Sequence, residues 1–460
     1  MPRMKLAISL LLLFLSASVS AQNPALSKEV EAVYPDARAL YIDLHQSPEL
    51  SFHETQSAAK LAARLRSLGY EVTEHVGETG IVAILNNGVG PTVMLRTELD
   101  ALPVEEKTGL SYASKIQAKD NSGRDVGVMH ACGHDIHMAS LIGAATIMAH
   151  SKETWHGTLM MVGQPAEETI SGAKKMVEDG FMTRFPKPDV AVALHVGNWL
   201  PSGTVGPGSG YRLSNADSLR ITIYGKGGHG SMPASTIDPV VIASRTVVSL
   251  QTIVSREIKP GEPTVVTVGY IQAGNKNNII PDQAELGLTV RSYKPEIRNQ
   301  LLSAIERIAK AESEAGGATR MPLIERYEFT DGVQNDPALD QRLRKALAAG
   351  LGKDRLVEIE PLMVSEDFSV FTAQGIPSYY LWLGGAAPRK FAEAKSSGVP
   401  MPSNHSPLFA PDFPPALHTG IAAEVAMLRD LLHGSARLQC RFIEAMRASA
   451  PFSWTRCFLA

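Results

Sequence analysis

The sequence predicts an α/β sheet with helices on both faces, interrupted by a smaller α+β unit. Strand-like and helix-like runs alternate up to about residue 194 and resume after about residue 338, the pattern of a sheet flanked by helices. Between 215 and about 326 the order changes to β-α-β-β-α-β, the split ferredoxin-like unit. A chain of 460 residues also exceeds one ordinary domain, so two are expected.

The elements follow in order. Arg3 and Lys5 precede an apolar run from Leu6 to Leu15 and small residues ending Val19-Ser20-Ala21. This is the pattern of a secretory signal peptide cleaved after Ala21, so residues 1–21 are expected to be removed and the protein to be periplasmic or secreted. The run is short for a membrane-spanning helix. Helical patterns cover 27–47 and 54–68, the second stopped by Gly69. Strand patterns follow at 71–75, 80–85 and 92–96. Next come a helix at 137–149, a strand at 157–162, a helix at 171–178 and a strand at 190–194. The inserted unit reads strand 217–224, helix 239–254, strands 263–272 and 284–291, helix 296–315 and strand 322–327. The first pattern then resumes with helices at 338–350 and 367–372, a strand at 378–383 and a helix at 415–432, which makes the first domain discontinuous. Residues 434–460 fit neither unit and carry no functional expectation.

Composition narrows the function classes. Hydrophobic residues make up 44% and charged residues 20%, a water-soluble globular balance. The formal charge of −3 becomes −5 once Arg3 and Lys5 are gone. Without a basic surplus, neither nucleic acid nor an anionic membrane surface is an expected partner. An exported chain favours disulfides, yet there are three cysteines. Cys440 and Cys457 are placed to pair with each other. Cys132 is left unpaired among histidines, which points to protection by a metal or a buried site.

The chemistry concentrates in Met129-His130-Ala131-Cys132-Gly133-His134-Asp135-Ile136-His137. One thiol, three imidazoles and a carboxylate in so short a stretch suit redox chemistry, a nucleophile with its base, or a metal. A redox role wants a second local cysteine, and a Cys132–His134 nucleophilic pair would leave Glu167 and Glu168 idle. Gln164-Pro165-Ala166-Glu167-Glu168 begins just after one expected strand, and His195 closes another. In open α/β sheets sites form beyond the carboxyl ends of strands, so Cys132, His134, Glu167, Glu168 and His195 converge on one crevice. Thiolate, imidazole and carboxylate together suit zinc, manganese or cobalt. Adjacent glutamates project to opposite sides, so one can ligate while the other serves as general base. A bound divalent ion lowers the pKa of water to about 7, within reach of such a carboxylate.

Further motifs extend this picture: Leu44-His45-Gln46-Ser47-Pro48-Glu49-Leu50, Leu102-Pro103, Gly225-Lys226-Gly227-Gly228-His229-Gly230-Ser231-Met232-Pro233, Asn277-Asn278-Ile279-Ile280-Pro281-Asp282, Ser365-Glu366-Asp367-Phe368 and Asn404-His405-Ser406-Pro407. With these in order over about residues 30–432, the chain resembles the amidohydrolase branch of the aminoacylase and carboxypeptidase-type dinuclear metallopeptidases, which includes hippurate hydrolases and indole-acetyl-amino-acid hydrolases. The resemblance implies a zinc-exopeptidase-like α/β/α catalytic domain (22–214 and 328–433) with a ferredoxin-like lid and dimerisation domain (215–327). It implies two divalent ions (Mn, Zn or Co) held by Cys132, His134, Glu168, His195 and His405, with Cys132 bridging and Glu167 as general base. It also implies that His229 stabilises the oxyanion, often in the partner subunit's site, and that Asn278 and Arg291 hold substrate. Relatives commonly read R-A-D-M-D-A-L-P where this chain has Arg96-Thr97-Glu98-Leu99-Asp100-Ala101-Leu102-Pro103. Glu98 is expected to support a ligand from behind. The expected activity is hydrolysis of N-acyl amino acids to a carboxylic acid and a free amino acid by a homodimer. The alternatives are a dipeptidase or carboxypeptidase with the same machinery, and a non-catalytic relative that binds ligand or metal.

Overall fold

A computed structural model of the protein describes residues 23–433. The expected signal peptide, residues 434–460 and with them Cys440 and Cys457 lie outside the described residues. Apolar runs rich in β-branched residues assemble a seven-stranded sheet in the order Glu71–Val76, Gly80–Asn87, Gly157–Gln164, Thr92–Glu98, Val190–Pro201, Ser378–Ala386, Val205–Gly206. The four central strands, from Gly157–Gln164 to Ser378–Ala386, run parallel. The two strands at one side and the short one at the other join through antiparallel pairings. Parallel strands buried on both faces read as continuous apolar runs, as Val190–Leu194 does.

Helices cover both faces of this sheet. Helices Pro24–Gln46, His134–His150, Pro337–Leu351 and Phe413–Leu432 build the larger core, with Leu40, Leu141, Leu343 and Leu428 among its buried side chains. Shorter helices, Gly172–Glu178 and Ser369–Ala373, close the opposite face over Met160, Val162, Phe371 and Trp382. Helix His134–His150 lies in the interior and is apolar nearly all round, as a fully buried helix should be. Among the described residues no helix is long and apolar enough to cross a membrane.

The inserted stretch forms its own antiparallel sheet, ordered Thr264–Ala273, Gln283–Ser292, Asn215–Tyr224, Leu323–Thr330. Helices Pro239–Thr252 and Pro295–Ala315 pack on it around Ile221, Ile242, Leu286 and Ile305. The strand order is that of the ferredoxin-like unit read from the sequence.

Several strands outrun their expected ends, and two of these differences place site residues. The strand expected to stop at 162 continues to Gln164, and the one expected to stop at 194 continues to Pro201. His195 therefore lies inside a strand, opposite Trp382 in the parallel ladder, and does not cap it. Polar residues were read as strand ends, but ladder pairing with buried neighbours carries them in sheet conformation. Helix His134–His150 likewise begins three residues earlier than its apolar pattern, directly after Gly133 at φ +88°. A Cβ on Gly133 would sit 2.4 Å from Val196 Cγ1, so only glycine turns the chain there.

Candidate metal centre

Four segments meet at the carboxyl end of the parallel strands. The loop ending in Gly133 delivers Cys132, and the first turn of the helix behind it delivers His134. Strand Val190–Pro201 supplies His195, and the turn after Gly157–Gln164 supplies Glu167 and Glu168. The fourth segment carries His405. Its backbone N–H bonds the Ala131 carbonyl at 2.8 Å, and Asn404 Nδ2 donates to the carbonyls of Cys132 and Val196, each at 3.1 Å. These bonds tie a C-terminal loop to both the cysteine loop and the histidine strand. They also hold His405 at φ +69°, a conformation that costs a non-glycine residue about 1–2 kcal/mol.

The donor atoms converge. Cys132 Sγ lies 3.4 Å from His195 Nε2, and His405 Nε2 lies 3.4 Å from Glu168 Oε2. His134 Nε2 is 3.7 Å from Glu167 Oε2 and 4.0 Å from Glu168 Oε1. The tautomers follow from the acceptors behind each ring. His134 Nδ1 faces the Asp100 carbonyl at 2.8 Å and His195 Nδ1 faces the Val196 carbonyl at 2.9 Å. A carbonyl only accepts, so both Nδ1 atoms carry a proton, and Nε2 is the atom each ring would offer to an ion. His134 Nε2 and Glu168 Oε1 are buried without a hydrogen-bond partner. Orphaned polar atoms of this kind are costly unless something occupies the space between them. Soft thiolate, borderline imidazole and hard carboxylate together fit a divalent transition ion or zinc.

Electrostatics point the same way. Burial alone would push His134 down, but the hydrogen bond to Asp100 and the charges of Glu98, Asp100 and Glu168 carry it up to about 10. Burial also pushes Glu168 up to about 8 against the pull of His134. Glu167 is held well above the usual carboxylate range by burial and by Glu366, Glu168 and Asp367. Burial, Glu168 and Glu167 keep the Cys132 thiol from ionising. This is a pocket with more negative charge than its own cations offset.

Behind the donors stands a second set of buried charges. Glu98 Oε2 accepts from His137 Nδ1 at 2.9 Å, and His137 Nε2 accepts from the Val196 N–H at 2.8 Å. Both nitrogens of His137 are thus spent, so it braces the strand next to His195 and is not free to ligate. Arg96 is fully buried and binds Glu98, Glu366 and Asp367, with Nη2 to Glu366 Oε1 at 2.6 Å and Nε to Gln164 Oε1 at 2.9 Å. On the other side His45 Nδ1 lies 2.6 Å from Asp135 Oδ2, and its Nε2 lies 3.2 Å from Glu106. The hydrogen bonds of Asp135 and Glu106 outweigh burial and raise His45 to about 9.

The turn bearing Glu167 is held from both ends. Ala166 (φ +48°) and Ile170 (φ +54°) both adopt the left-handed conformation. The Glu168 N–H donates to Asp100 Oδ2 at 3.0 Å, and the Ala166 N–H donates to Glu54 Oε1 at 2.8 Å. Gly172 follows, where a Cβ would stand 1.5 Å from the Pro165 carbonyl oxygen.

The site residues expected from the sequence divide into two groups. Cys132, His134, Glu167, Glu168, His195 and His405 come together. His229 and Asn278 do not join them: both are exposed, His229 on the short ladder that pairs Gly228–His229 with Ile279–Ile280 and Asn278 just before it. His229 Nδ1 accepts from the Ser231 N–H at 3.1 Å, so the proton resides on Nε2. Arg291 is half-buried on the inserted sheet and reaches across to Met363 O (3.3 Å) and Ser365 Oγ (3.1 Å), next to Glu366. Sequence reasoning assigned no role to Glu54, Arg96, Glu366 or Asp367. Arg96, Glu366 and Asp367 lie in sequence motifs of the family, and an arginine closing the otherwise apolar run Val93-Met94-Leu95 was the only available signal. Glu54 carried none.

Comparison with known proteins is consistent throughout. The model of peptidase family M20/M25/M40 matches residues 94–397. The chain is 36% identical over 368 residues to IAA-amino acid hydrolase ILR1-like 4 of Arabidopsis thaliana, spanning 80% of this chain and 79% of that protein. It is 37% identical over 349 residues to thermostable carboxypeptidase 2 of Saccharolobus solfataricus, 74% of this chain and 84% of that one. Among solved structures, a dinuclear metal-binding peptidase of the M20 family from Bacillus subtilis superposes with a TM-score of 0.70 at 29% identity. It covers 86% of this chain and 98% of its own.

Proposed function

The chain belongs to peptidase family M20/M25/M40, and from that membership we infer a metal-dependent amidohydrolase that cleaves N-acyl amino acids into a carboxylic acid and a free amino acid. The observation that carries the site assignment is the convergence of Cys132, His134, Glu168, His195 and His405, with the two inner histidines anchored through Nδ1 and turning Nε2 toward the other donors. These five residues would hold two divalent ions, with manganese, zinc or cobalt suited to the donors. Bound there, the ions supply Lewis acidity toward a carbonyl and toward water.

The remaining work falls to side chains. Glu167 lies beside the donors; bound cations would offset the negative charge that holds its proton, leaving the carboxylate to take a proton from water and return it to the leaving amine. His229, with a proton on Nε2, is a donor suited to a developing oxyanion. Its exposure fits a role that requires lid closure or a partner subunit. Asn278 and Arg291 would fix the free carboxylate of the amino-acid moiety. Exposed Val241 and Val248 on helix Pro239–Thr252, with Tyr270 and Ile271 on an edge strand, support a homodimer through the inserted unit. Export as a periplasmic or secreted protein rests on the N-terminal sequence.

Replacing Glu167 with Gln tests the central assignment. Metal content should be unchanged and turnover lost by about 100-fold or more; a variant that still turns over removes Glu167 as the base. The second reading, a carboxypeptidase acting on peptides, is favoured by the Saccharolobus relative. A panel of hippurate-like N-acyl amino acids against unblocked dipeptides, each with Mn, Zn and Co, separates the two.

A further inference from the structure

We propose that Glu54 is the positioning residue of the general base. It holds the backbone N–H of Ala166 and thereby keeps the left-handed turn that aims Glu167. The proposal rests on the assignment of Glu167 made above and adds to it a residue from a distant segment.

Glu54 closes the loop before helix Thr55–Ser67, whose first turn it starts by accepting the Ala58 N–H on its carbonyl. Its side chain is completely buried, and its hydrogen-bond partners are neutral. Oε1 accepts the Ala166 N–H at 2.8 Å, and Oε2 accepts the Thr79 hydroxyl. These two bonds satisfy both carboxyl oxygens without an ion pair, so the side chain serves here as a pair of acceptors. What it secures is specific. Ala166 immediately precedes Glu167 and sits at φ +48°, ψ +43°, and Ile170 on the far side sits at φ +54°. Neither residue type favours that region, so the turn persists only where surrounding bonds over-determine it. The Ala166 carbonyl is held from within the turn and the following helix, by Thr169 Oγ1 at 3.1 Å and the Gly172 N–H at 3.1 Å. The Ala166 N–H is held from a different part of the chain, by Glu54. Released, the peptide unit joining Pro165 to Ala166 is free to rotate toward an ordinary conformation, and Glu167 turns with it.

The bond and the charge of Glu54 can be separated by two substitutions. Glu54→Gln keeps the Oε1 acceptor at the same reach and lets its amide donate to Thr79, but carries no charge. Glu54→Asp keeps the charge but falls one methylene short of Ala166. The measurements are kcat, KM, metal per chain and thermal midpoint for both variants, with Glu167→Gln alongside. The proposal expects Glu54→Asp to lose about 10- to 100-fold in kcat, the scale of a misplaced catalytic group, with KM within about twofold and metal content unchanged. Glu54→Gln should restore kcat to within about threefold of the parent. Three results overturn it: both variants keeping kcat while only the thermal midpoint falls, Glu54→Gln losing as much as Glu54→Asp, or metal content falling with kcat. Retained turnover in Glu167→Gln would overturn the assignment of the base itself and this proposal with it, whereas an inactive Glu167→Gln beside a fully active Glu54→Asp would overturn this proposal alone.

Discussion

Glu424 offers a prediction whose magnitude comes directly from its surroundings. It lies on helix Phe413–Leu432, is 2% exposed, and accepts a hydrogen bond from Ser140 Oγ at 2.7 Å on the neighbouring buried helix. Burial raises its pKa from 4.5 to about 8, with a smaller push from Glu98 against the help of Ser140. The folded state therefore keeps the proton while the unfolded chain gives it up above pH 4.5. Between those two values the unfolded chain binds fewer protons than the folded one, so stability falls as pH rises and levels off above about 8. At 1.36 kcal/mol per pKa unit the loss amounts to about 1 kcal/mol at pH 5 and about 3 kcal/mol at pH 7. Glu424→Gln copies the protonated form in shape and can still accept from Ser140. The variant should exceed the parent by about 1 kcal/mol at pH 5 and by about 3 kcal/mol at pH 7, read from urea unfolding at each pH on metal-loaded protein. A stability difference that does not grow between pH 5 and pH 8 would refute the reasoning, because it would mean Glu424 is ionised in the folded state.

Two further outcomes follow from contacts around the site. Glu98→Asp, which installs the residue common among relatives, shortens the side chain that supports His137 and through it the Val196 N–H beside His195. Metal affinity should drop by about 10-fold or more, as for other supporting partners; chelator titration finding parent-like affinity would show that Glu98 does not support the ligands. Gly172→Ala places a Cβ 1.5 Å from the Pro165 carbonyl oxygen, so the turn bearing Glu167 must shift. Circular dichroism should show a lowered thermal midpoint, and kcat should fall with it; parent-like kcat would mean the turn tolerates the displacement.

Much of the site was legible because the chemistry is concentrated in short motifs. Cys132 and His134 fall in a polar run just before a helix, and Glu167 and Glu168 in one just after an apolar strand, and the alternation of elements indicated that both runs open into one crevice. His195 was legible as a polar residue at the end of an apolar run, though its strand continues to Pro201. His405 was found by resemblance alone: its loop is irregular, and only the bonds of Asn404 to Cys132 and Val196 show what holds it in place. The supporting charges were harder still. Arg96 sits among strand residues, where a lone arginine reads as an outward-facing side chain, yet it is buried among Glu98, Glu366 and Asp367.

By itself the sequence determined the α/β class, the inserted β-α-β-β-α-β unit and the chemical type of the centre. These depend on periodicity and residue type, which are local properties. The tertiary structure alone decided which histidine nitrogens face the donors, which of His134 and His137 is free to ligate, and which distant carboxylates hold the turn of Glu167. Each of those depends on what lies across space from a given atom: a carbonyl behind Nδ1, a backbone N–H in front of His137, or Glu54 beside Ala166, more than 100 residues away in the chain.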